Sequence, residues 1–206
     1  MDKLLLIDDD RAVRLLVEKG LSSDDLRVYA AENATIGIRL LEKERPQVAL
    51  VDVMLPEISG LELFHKIRAF DSKIPIIFVT SDNSSETTIQ CMRIGAFDYL
   101  PKPINLDQLR VLIGSALKSR RLMDQPVGMP VSNATAVGES FVGGSQLMLE
   151  VFKSIGRVAA QNVAVLVRGE SGCGKELVAR AVVQHSDRNQ KPFLSVTPPA
   201  SRLRPP

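Results

Sequence analysis

Four apolar runs in the first half of the chain each lead to a side chain suited to phosphate chemistry. They are Asp8-Asp9-Asp10 after Leu4–Ile7, Asp52 after Val48–Val51, Thr80 after Ile74–Val79, and Lys102 shortly after Phe97–Leu100. The carboxyl ends of parallel strands meet at one edge of an open α/β sheet, which is where such sheets bind ligands. Carboxylates, a hydroxyl and a lysine at that edge suit a magnesium-dependent phosphoryl acceptor.

Alternating patterns predict the elements that position these side chains. Apolar runs near 4–7, 26–30, 48–52, 74–79 and 97–100 are separated by amphipathic stretches with helical periodicity. This alternation predicts an α/β fold with a doubly wound, five-stranded parallel sheet. Asp10 is predicted to cap the first helix, and Asn105 with Gln108 forms a capping pair before the last helix of this half.

The constellation resembles the receiver domain of two-component response regulators, a flavodoxin-like fold, over residues 1–121. The resemblance implies that Asp52 accepts a phosphoryl group, with Thr80 as the switch hydroxyl. It also implies that Lys102 pairs with the acyl phosphate and that Tyr99 is the rotating aromatic. The step from Lys102 to Pro103 is similar to the family's Lys-Pro step, which is usually a cis peptide.

A metal site is expected in the acidic pocket. A phosphoryl group moving to a carboxylate brings two anions together, and a metal ion offsets that repulsion. Asp9 and Asp52 can supply direct ligands and Asp8 an indirect one through water, because Mg²⁺ prefers oxygen ligands and retains several waters. The family resemblance implies one further ligand, the backbone carbonyl of Met54.

Three other interpretations compete for Asp52. A strand-end aspartate can be a turn or cap residue. Phospho-aspartate chemistry of the haloacid dehalogenase type resembles Asp-x-Asp, but Met54 stands at the position of the second acid. Flavin binding on the same fold is disfavoured, because no Ser/Thr-rich phosphate loop follows Ile7.

A glycine-rich loop predicts a phosphate site in the second half. The segment from Gly169 to Lys175 fits G-x-x-x-x-G-K between a predicted buried strand at 163–167 and a predicted helix. Backbone N–H groups and a helix N-terminus can hold phosphates, and Lys175 adds charge. The predicted nucleotide-binding residues are Gly169, Glu170, Ser171, Gly172, Cys173, Gly174, Lys175 and Glu176. The alternative is a glycine turn with a surface lysine, and Glu176 replaces the hydroxyl residue of the general motif.

The loop looks like the Walker A motif of the AAA+ domain in NtrC-type sigma-54-dependent activators. Val142-Gly143-Gly144-Ser145, Val151-Phe152-Lys153 and Pro192-Phe193 agree with that family, whereas Cys173 stands where it usually has Thr. Residues 139–206 are therefore expected to be the N-terminal part of such a domain, after a linker over 122–138. Ser145 is predicted to cap a helix through Ala160, and Phe193–Val196 to begin another strand.

The second resemblance stops after Val196. The family continues with Asn-Cys-Ala-Ala, whereas this chain continues with Thr197-Pro198-Pro199 and a proline-rich tail. Walker B acids, the loop that contacts the sigma factor, sensor and finger arginines and DNA-binding helices are not in this sequence. A truncated P-loop α/β segment is expected, with weak ATP binding at most and no hydrolysis. A frameshifted or truncated gene is one hypothesis for the tail.

Composition excludes several other classes. The 206 residues carry a net charge of +2, divided into −3 over residues 1–118 and +5 over the remainder. The basic half shows no helix-turn-helix pattern, so a soluble or phosphate-binding surface is the simpler interpretation. No apolar run approaches the length of a membrane span. Cys91 and Cys173 form no metal-like pair, which fits a reducing cytoplasm, and His65 and His185 are expected to face solvent.

The family resemblance supplies the expected partners. They are a sensor histidine kinase and a second copy of the chain on phosphorylation, with sigma-54 RNA polymerase only for a full-length form. No DNA-binding domain and no membrane partner are expected. Enzymatic activity beyond the receiver's own phosphoryl transfer is not expected. Two alternatives stay open: an ATP-dependent transcription activator if the rest of the AAA+ domain were present, and a receiver that sequesters a kinase or homologue.

Overall fold

Five parallel strands form one sheet in the first half of the chain. The computed structural model describes residues 1–82, 84–124 and 146–191. The strands are β1 (Asp2–Ile7), β2 (Leu26–Ala31), β3 (Val48–Asp52), β4 (Ile76–Thr80) and β5 (Asp98–Pro101). Their order is β2-β1-β3-β4-β5, with every neighbouring pair parallel. The predicted doubly wound, flavodoxin-like sheet is confirmed.

Seven helices are described, and short polar side chains begin several of them. They are α1 (Arg11–Leu21), α2 (Ala34–Glu44), α3 (Gly60–Phe70), α4 (Ser85–Arg93), α5 (Leu106–Asp124), α6 (Gln146–Ala159) and α7 (Lys175–Gln184). The Asp10 carboxylate accepts the N–H of Ala12, which confirms the predicted cap of α1. The Asn105 side chain accepts the N–H groups of Asp107 and Gln108 at 2.9 and 3.1 Å. Each cap satisfies a backbone donor that the first turn of a helix leaves unpaired.

Helices cover both faces of the sheet, which explains why its strands are continuous apolar runs in the sequence. Alternate residues of β1 divide between two cores, with Leu5 and Ile7 on one face and Leu4 and Leu6 on the other. Side chains of α2, α3 and α4 complete the first core, and those of α1 and α5 complete the second. Two covered faces leave the strand ends as the accessible edge for polar chemistry.

The prediction of a buried strand at residues 163–167 is wrong. This segment forms no strand, and Val163 and Leu166 are 54% and 75% exposed. A strand needs a neighbour for its backbone hydrogen bonds, and the described residues offer none beside this segment. The other predicted strand, Phe193–Val196, lies outside the described residues, as does the proline-rich tail.

The boundary between the two halves differs in detail from the prediction. Helix α5 continues through Asp124, three residues into the predicted linker at 122–138. The rest of that linker and the predicted cap Ser145 lie outside the described residues. Helix α6 begins at Gln146 and ends at Ala159, within one residue of the predicted helix end.

Helix α6 packs against α4 on the flank of the sheet. A Cβ atom at Gly156 would lie 2.4 Å from the Ile89 carbonyl oxygen, so the helices approach closely only because this residue is glycine. Ile155 and Ala159 are buried. His185, at the end of α7, is also buried, so the prediction that it faces solvent is wrong. Its Nε2 atom lies 3.5 Å from a carboxylate oxygen of Glu86 in α4.

No helix in the described ranges is both long and apolar enough to cross a bilayer.

Candidate functional site

Three carboxylates meet where β1 and β3 end. One oxygen each from Asp8, Asp9 and Asp52 can be chosen so that all lie within 4.8 Å of one another. Asp8 and Asp52 are buried, whereas Asp9 is exposed. The sheet order reverses at β1 and β3, the position where doubly wound folds bind their ligands. The structure therefore brings together the three acids that the sequence placed on separate segments.

Local hydrogen bonds fix the direction of the two buried acids. One oxygen of Asp8 accepts the N–H of Asp10, and one oxygen of Asp52 accepts the N–H of Met54, both at 2.9 Å. The Arg14 guanidinium donates to the carbonyls of Asp8 and Asp9 at 2.7 and 2.8 Å. Arg14 was not predicted; its only sequence signal is an arginine one helical turn after Asp10. The second carboxylate oxygen of Asp8 and of Asp52 makes none of these local bonds, and both of these oxygens contact Lys102.

Gly60 holds the loop after β3 close to the strand. Its N–H donates to the Val53 carbonyl at 2.8 Å. A Cβ atom at this position would lie 2.2 Å from the Asp52 carbonyl oxygen and 2.8 Å from the Val53 Cα atom. Both obstacles are backbone, so a larger residue would have to displace the loop that follows Asp52.

Lys102 joins the two buried acids. Its ammonium nitrogen lies 2.6 Å from Asp52 Oδ2 and 2.9 Å from Asp8 Oδ2, and the Lys102 N–H donates to the Thr80 carbonyl at 2.9 Å. The following peptide, to Pro103, is cis, as the resemblance implied. Burial lowers the pKa of Lys102, but its contacts with the two carboxylates outweigh burial and leave the pKa above its ordinary value.

Asp8 retains an oxygen that fits a metal ligand. Burial raises the pKa of Asp8 despite the opposing contacts with Lys102 and the Asp10 N–H. Asp8 Oδ2 is buried, and the Lys102 ammonium at 2.9 Å is its only ionic contact among the described residues. A buried carboxylate oxygen beside two further carboxylates fits a hard cation such as Mg²⁺.

Thr80 and Tyr99 both contact the loop between β4 and α4. Thr80 Oγ1 accepts the N–H of Asp82 at 3.1 Å, and the Tyr99 hydroxyl donates to the Asp82 carbonyl. Both side chains are fully buried. Burial raises the pKa of Tyr99 to about 12. The two predicted switch residues therefore share one loop residue, Asp82, which sequence reasoning did not identify.

Met54 lies beside the acids and is 63% exposed. Its N–H is engaged with Asp52. The metal role of its carbonyl, which the family resemblance implied, stays a prediction.

The glycine loop lies apart, at the start of α7. Gly172 and Gly174 have φ angles of 82° and 85°, a conformation that glycine adopts without strain. The Lys175 ammonium lies 3.0 Å from the Gly169 carbonyl and 2.5 Å from the Glu170 carbonyl. Cys173 is exposed, and Glu176 pairs with Arg180 at 2.7 Å. The loop turns through two glycines with positive φ angles directly before α7, but the segment before it is not a strand.

Two known families match the chain in succession. The family described as the response regulator receiver domain matches residues 4–114, and the sigma-54 interaction domain matches residues 141–202. The first match covers the sheet and the acidic site. The second covers α6, the glycine loop and α7.

Curated relatives match across both halves of the chain. The DNA-binding transcriptional regulator NtrC of Klebsiella pneumoniae is 33% identical over 191 residues, which cover 93% of this chain and 40% of the relative. The response regulator protein PilR of Pseudomonas aeruginosa is 34% identical, covering 94% of this chain and 42% of the relative. The chain thus spans about two fifths of the length of these relatives.

Solved structures agree with both halves. A receiver domain from Clostridium thermocellum is 26% identical with a TM-score of 0.56, covering 60% of this chain and 99% of that one. NtrX from Brucella abortus in complex with ATP is 28% identical with a TM-score of 0.57, covering 94% of this chain and 42% of that one. With the acids, Lys102 and the parallel sheet in place, these matches show that the chain belongs to the response regulator receiver family and is homologous to NtrC-type regulators.

Proposed function

We propose that this protein is a phosphorylation-dependent response regulator in which Asp52 accepts a phosphoryl group from a sensor histidine kinase. The observation that carries the proposal is the position of Lys102, whose ammonium group lies within 3 Å of both Asp52 and Asp8. A cation at that distance can pair with the oxygens of a phosphoryl group on Asp52 and stabilise the charge that the transfer develops.

Asp9 and Asp52 would hold Mg²⁺ directly, Asp8 through water, and the Met54 carbonyl would complete the protein's share of the ligands. The metal would supply charge neutralisation and orientation of the phosphoryl oxygens. The chain's own contribution is to fix the acceptor carboxylate: the Met54 N–H holds one oxygen of Asp52, so the other is presented to the pocket. Thr80 would then donate a hydrogen bond to the phosphoryl group.

The output would pass through the β4–α4 loop. Thr80 now accepts the Asp82 N–H, so a Thr80 hydroxyl drawn toward a phosphoryl group would release that contact. Tyr99 would follow, because its hydroxyl donates to the same residue. We propose that a change at the α4–β5 face, against which α6 packs, alters self-association, giving a homodimer, and that the output is linked to sigma-54-dependent transcription.

Chemical labelling tests the proposal without a kinase. Incubation with acetyl phosphate and Mg²⁺ should add one phosphoryl group that is lost in acid or hydroxylamine, as acyl phosphates are. Chelation of the metal should prevent labelling. A chain that gains no mass with Mg²⁺ present, or that gains a group stable to hydroxylamine, would contradict phosphorylation of a carboxylate.

A second function, ATP turnover by the glycine loop, is favoured by the form of residues 169–175 and by the matched sigma-54 interaction domain. It is disfavoured by the exposed, strandless segment before the loop, because phosphate-binding N–H groups need a rigid sheet behind them. A hydrolysis assay with Lys175→Ala separates the two functions. Turnover that disappears in this variant would support the enzyme; equal background in both would leave the receiver as the active part.

A third function, sequestration of a kinase or homologue, needs no phosphoryl transfer. Beryllofluoride with Mg²⁺ separates it from the switch, because only a switch changes its association on forming the phosphoryl mimic. Light scattering at tens of micromolar protein is the measurement. A mass that rises with beryllofluoride supports the switch, and an unchanged mass supports sequestration.

A further inference from the structure

A cleft of about 340 Å³ opens where α6 meets the receiver sheet, away from the acidic site. It lies at the amino-terminal end of β4 and β5, the edge opposite to Asp52. Pro75, Met92 and Phe97 contribute an apolar wall. Its volume lies at the lower end of the range for small-molecule sites.

The charged residues that line this cleft are all cations. They are Arg68, Lys73, Arg93 and Arg157, and no aspartate or glutamate lines the cleft among the described residues. Asp71, which follows α3, does not line the cleft; it pairs with Arg120 at 2.8 Å, accepts the backbone N–H of Lys73 at 2.9 Å and offsets part of the charge of the neighbouring cations. Four positive charges around one concave surface attract an anion more strongly than scattered surface charges do.

Of the four cations that line the cleft, Arg68 is held in place by hydrogen bonds to backbone carbonyls. Its guanidinium donates to the Ser72 carbonyl at 2.5 Å and to the Gly95 carbonyl at 3.0 Å, two of the five donors that a guanidinium carries. Burial lowers the pKa of Arg68, and the charge of Asp71 opposes this only in part. The partly desolvated cation would gain from a bound anion.

Both halves of the chain line the cleft. Arg157 comes from α6, Arg93 from α4, and Arg68 and Lys73 from α3 and the loop after it. Gly156, next to Arg157, allows the close approach to Ile89 that places α6 on α4. The Arg93 guanidinium donates to the His185 carbonyl at 3.2 Å, which holds that side chain between α4 and the end of α7. Neither half of the chain supplies the full set of cations.

We propose that this cleft is a binding site for a small polyphosphate anion, composed of residues from both halves of the chain. Three guanidinium groups suit phosphate because each can present paired N–H donors to phosphate oxygens. A triphosphate carries enough charge to meet four cations and is small enough for the cleft. The apolar wall can contact an organic part attached to the phosphates.

Calorimetric titration with tripolyphosphate tests the site. The titrated protein is the Lys175→Ala variant, in which the glycine loop is removed as a phosphate site. EDTA is added to remove any metal ion that could bind phosphate at the acidic pocket. Tripolyphosphate should still bind at one site per chain. Arg157→Gln should weaken that binding about ten-fold, the loss expected for one charged hydrogen bond.

Arg121→Gln is the matched control, because it removes the same charge from an exposed arginine that pairs with Asp2 outside the cleft. It should leave the affinity unchanged. Gly156→Leu, which would separate α6 from α4, should abolish binding. The proposal is overturned if the Lys175→Ala chain binds no tripolyphosphate, or if Arg157→Gln and Arg121→Gln have equal effects.

Discussion

Lys153 of α6 lies 2.5 Å from an oxygen of Asp98, the first residue of β5. The Lys153 side chain is 1% exposed and also contacts Glu150 at 2.9 Å. Tyr99, the predicted rotating aromatic, follows Asp98 directly in the strand. The second half of the chain is therefore joined by a buried ion pair to the strand that carries a proposed switch residue.

Lys153→Met should loosen α6 from the receiver. Removing one member of a buried ion pair leaves Asp98 uncompensated and costs about 3 kcal/mol. Amide hydrogens of α6 and of the facing α4 should exchange faster, whereas those of β1 and β3 should not change. Hydrogen exchange with mass spectrometry is the measurement.

The control for that variant is Ser154→Ala, whose exposed hydroxyl bonds only within its own helix, to the Glu150 carbonyl at 2.8 Å. Equal exchange rates in the two variants would show that the ion pair does not hold α6 in place.

Gly60→Ala should destabilise the receiver and displace the loop after Asp52. The added Cβ would stand 2.2 Å from a backbone oxygen that cannot move independently. A loss of about 1–3 kcal/mol in the free energy of unfolding is expected for such overpacking. Gly114→Ala is the opposite case, because a Cβ atom added to that helical glycine would meet nothing within 4 Å beyond the adjoining turns of its own helix. It should gain about 0.5–1 kcal/mol. Urea titration of both variants is the check, and an equal response would contradict the close approach.

Lys102→Met should lower stability in the absence of metal and raise affinity for Mg²⁺. Removing the ammonium group leaves Asp8 and Asp52 without their shared cation, while the lost positive charge no longer repels a divalent ion. Thermal melts with increasing Mg²⁺ should show a lower starting Tm and a larger rise than the parent. A variant whose Tm responds to Mg²⁺ less than the parent would contradict the shared site.

Tyr99 should make the receiver sensitive to alkaline pH. Burial raises its pKa from 10.0 to about 12, so the folded chain holds the phenol proton where the unfolded chain has lost it. The stabilisation is complete below pH 10 and is lost as pH rises through about 12. Tyr29→Phe leaves Tyr99 as the single tyrosine, so its ionisation can be followed by ultraviolet absorbance. A midpoint near 10 in the folded protein would show that Tyr99 is not buried as described.

The sequence predicted the receiver sheet well because each strand is a separate apolar run with a polar end. The five predicted strands overlap β1 to β5, and the acids at 8, 9 and 52 converge as expected. The acidic side chains could be predicted to meet because parallel strands bring their carboxyl ends together, whatever the details of packing.

The second half was predicted less well for a physical reason. Residues 163–167 carry the pattern of a buried strand, but that pattern specifies a strand only when neighbouring strands are present to pair with it. The docking of α6 on α4 was missed because it depends on Gly156 and Lys153, which signal no contact by themselves. His185 was placed in solvent for the same reason, since its burial follows from that docking.

The most direct test of the account is the phosphorylation of Asp52→Asn. The amide preserves shape and removes charge from a crowded acidic pocket, so the fold should persist with equal or greater stability. Labelling with acetyl phosphate and Mg²⁺, followed by intact-mass measurement, should show one acid-labile phosphoryl group on the parent and none on this variant. Asp107→Asn, which changes an exposed aspartate paired with Arg110, should label as the parent does. Labelling of Asp52→Asn at the parental rate would contradict the account.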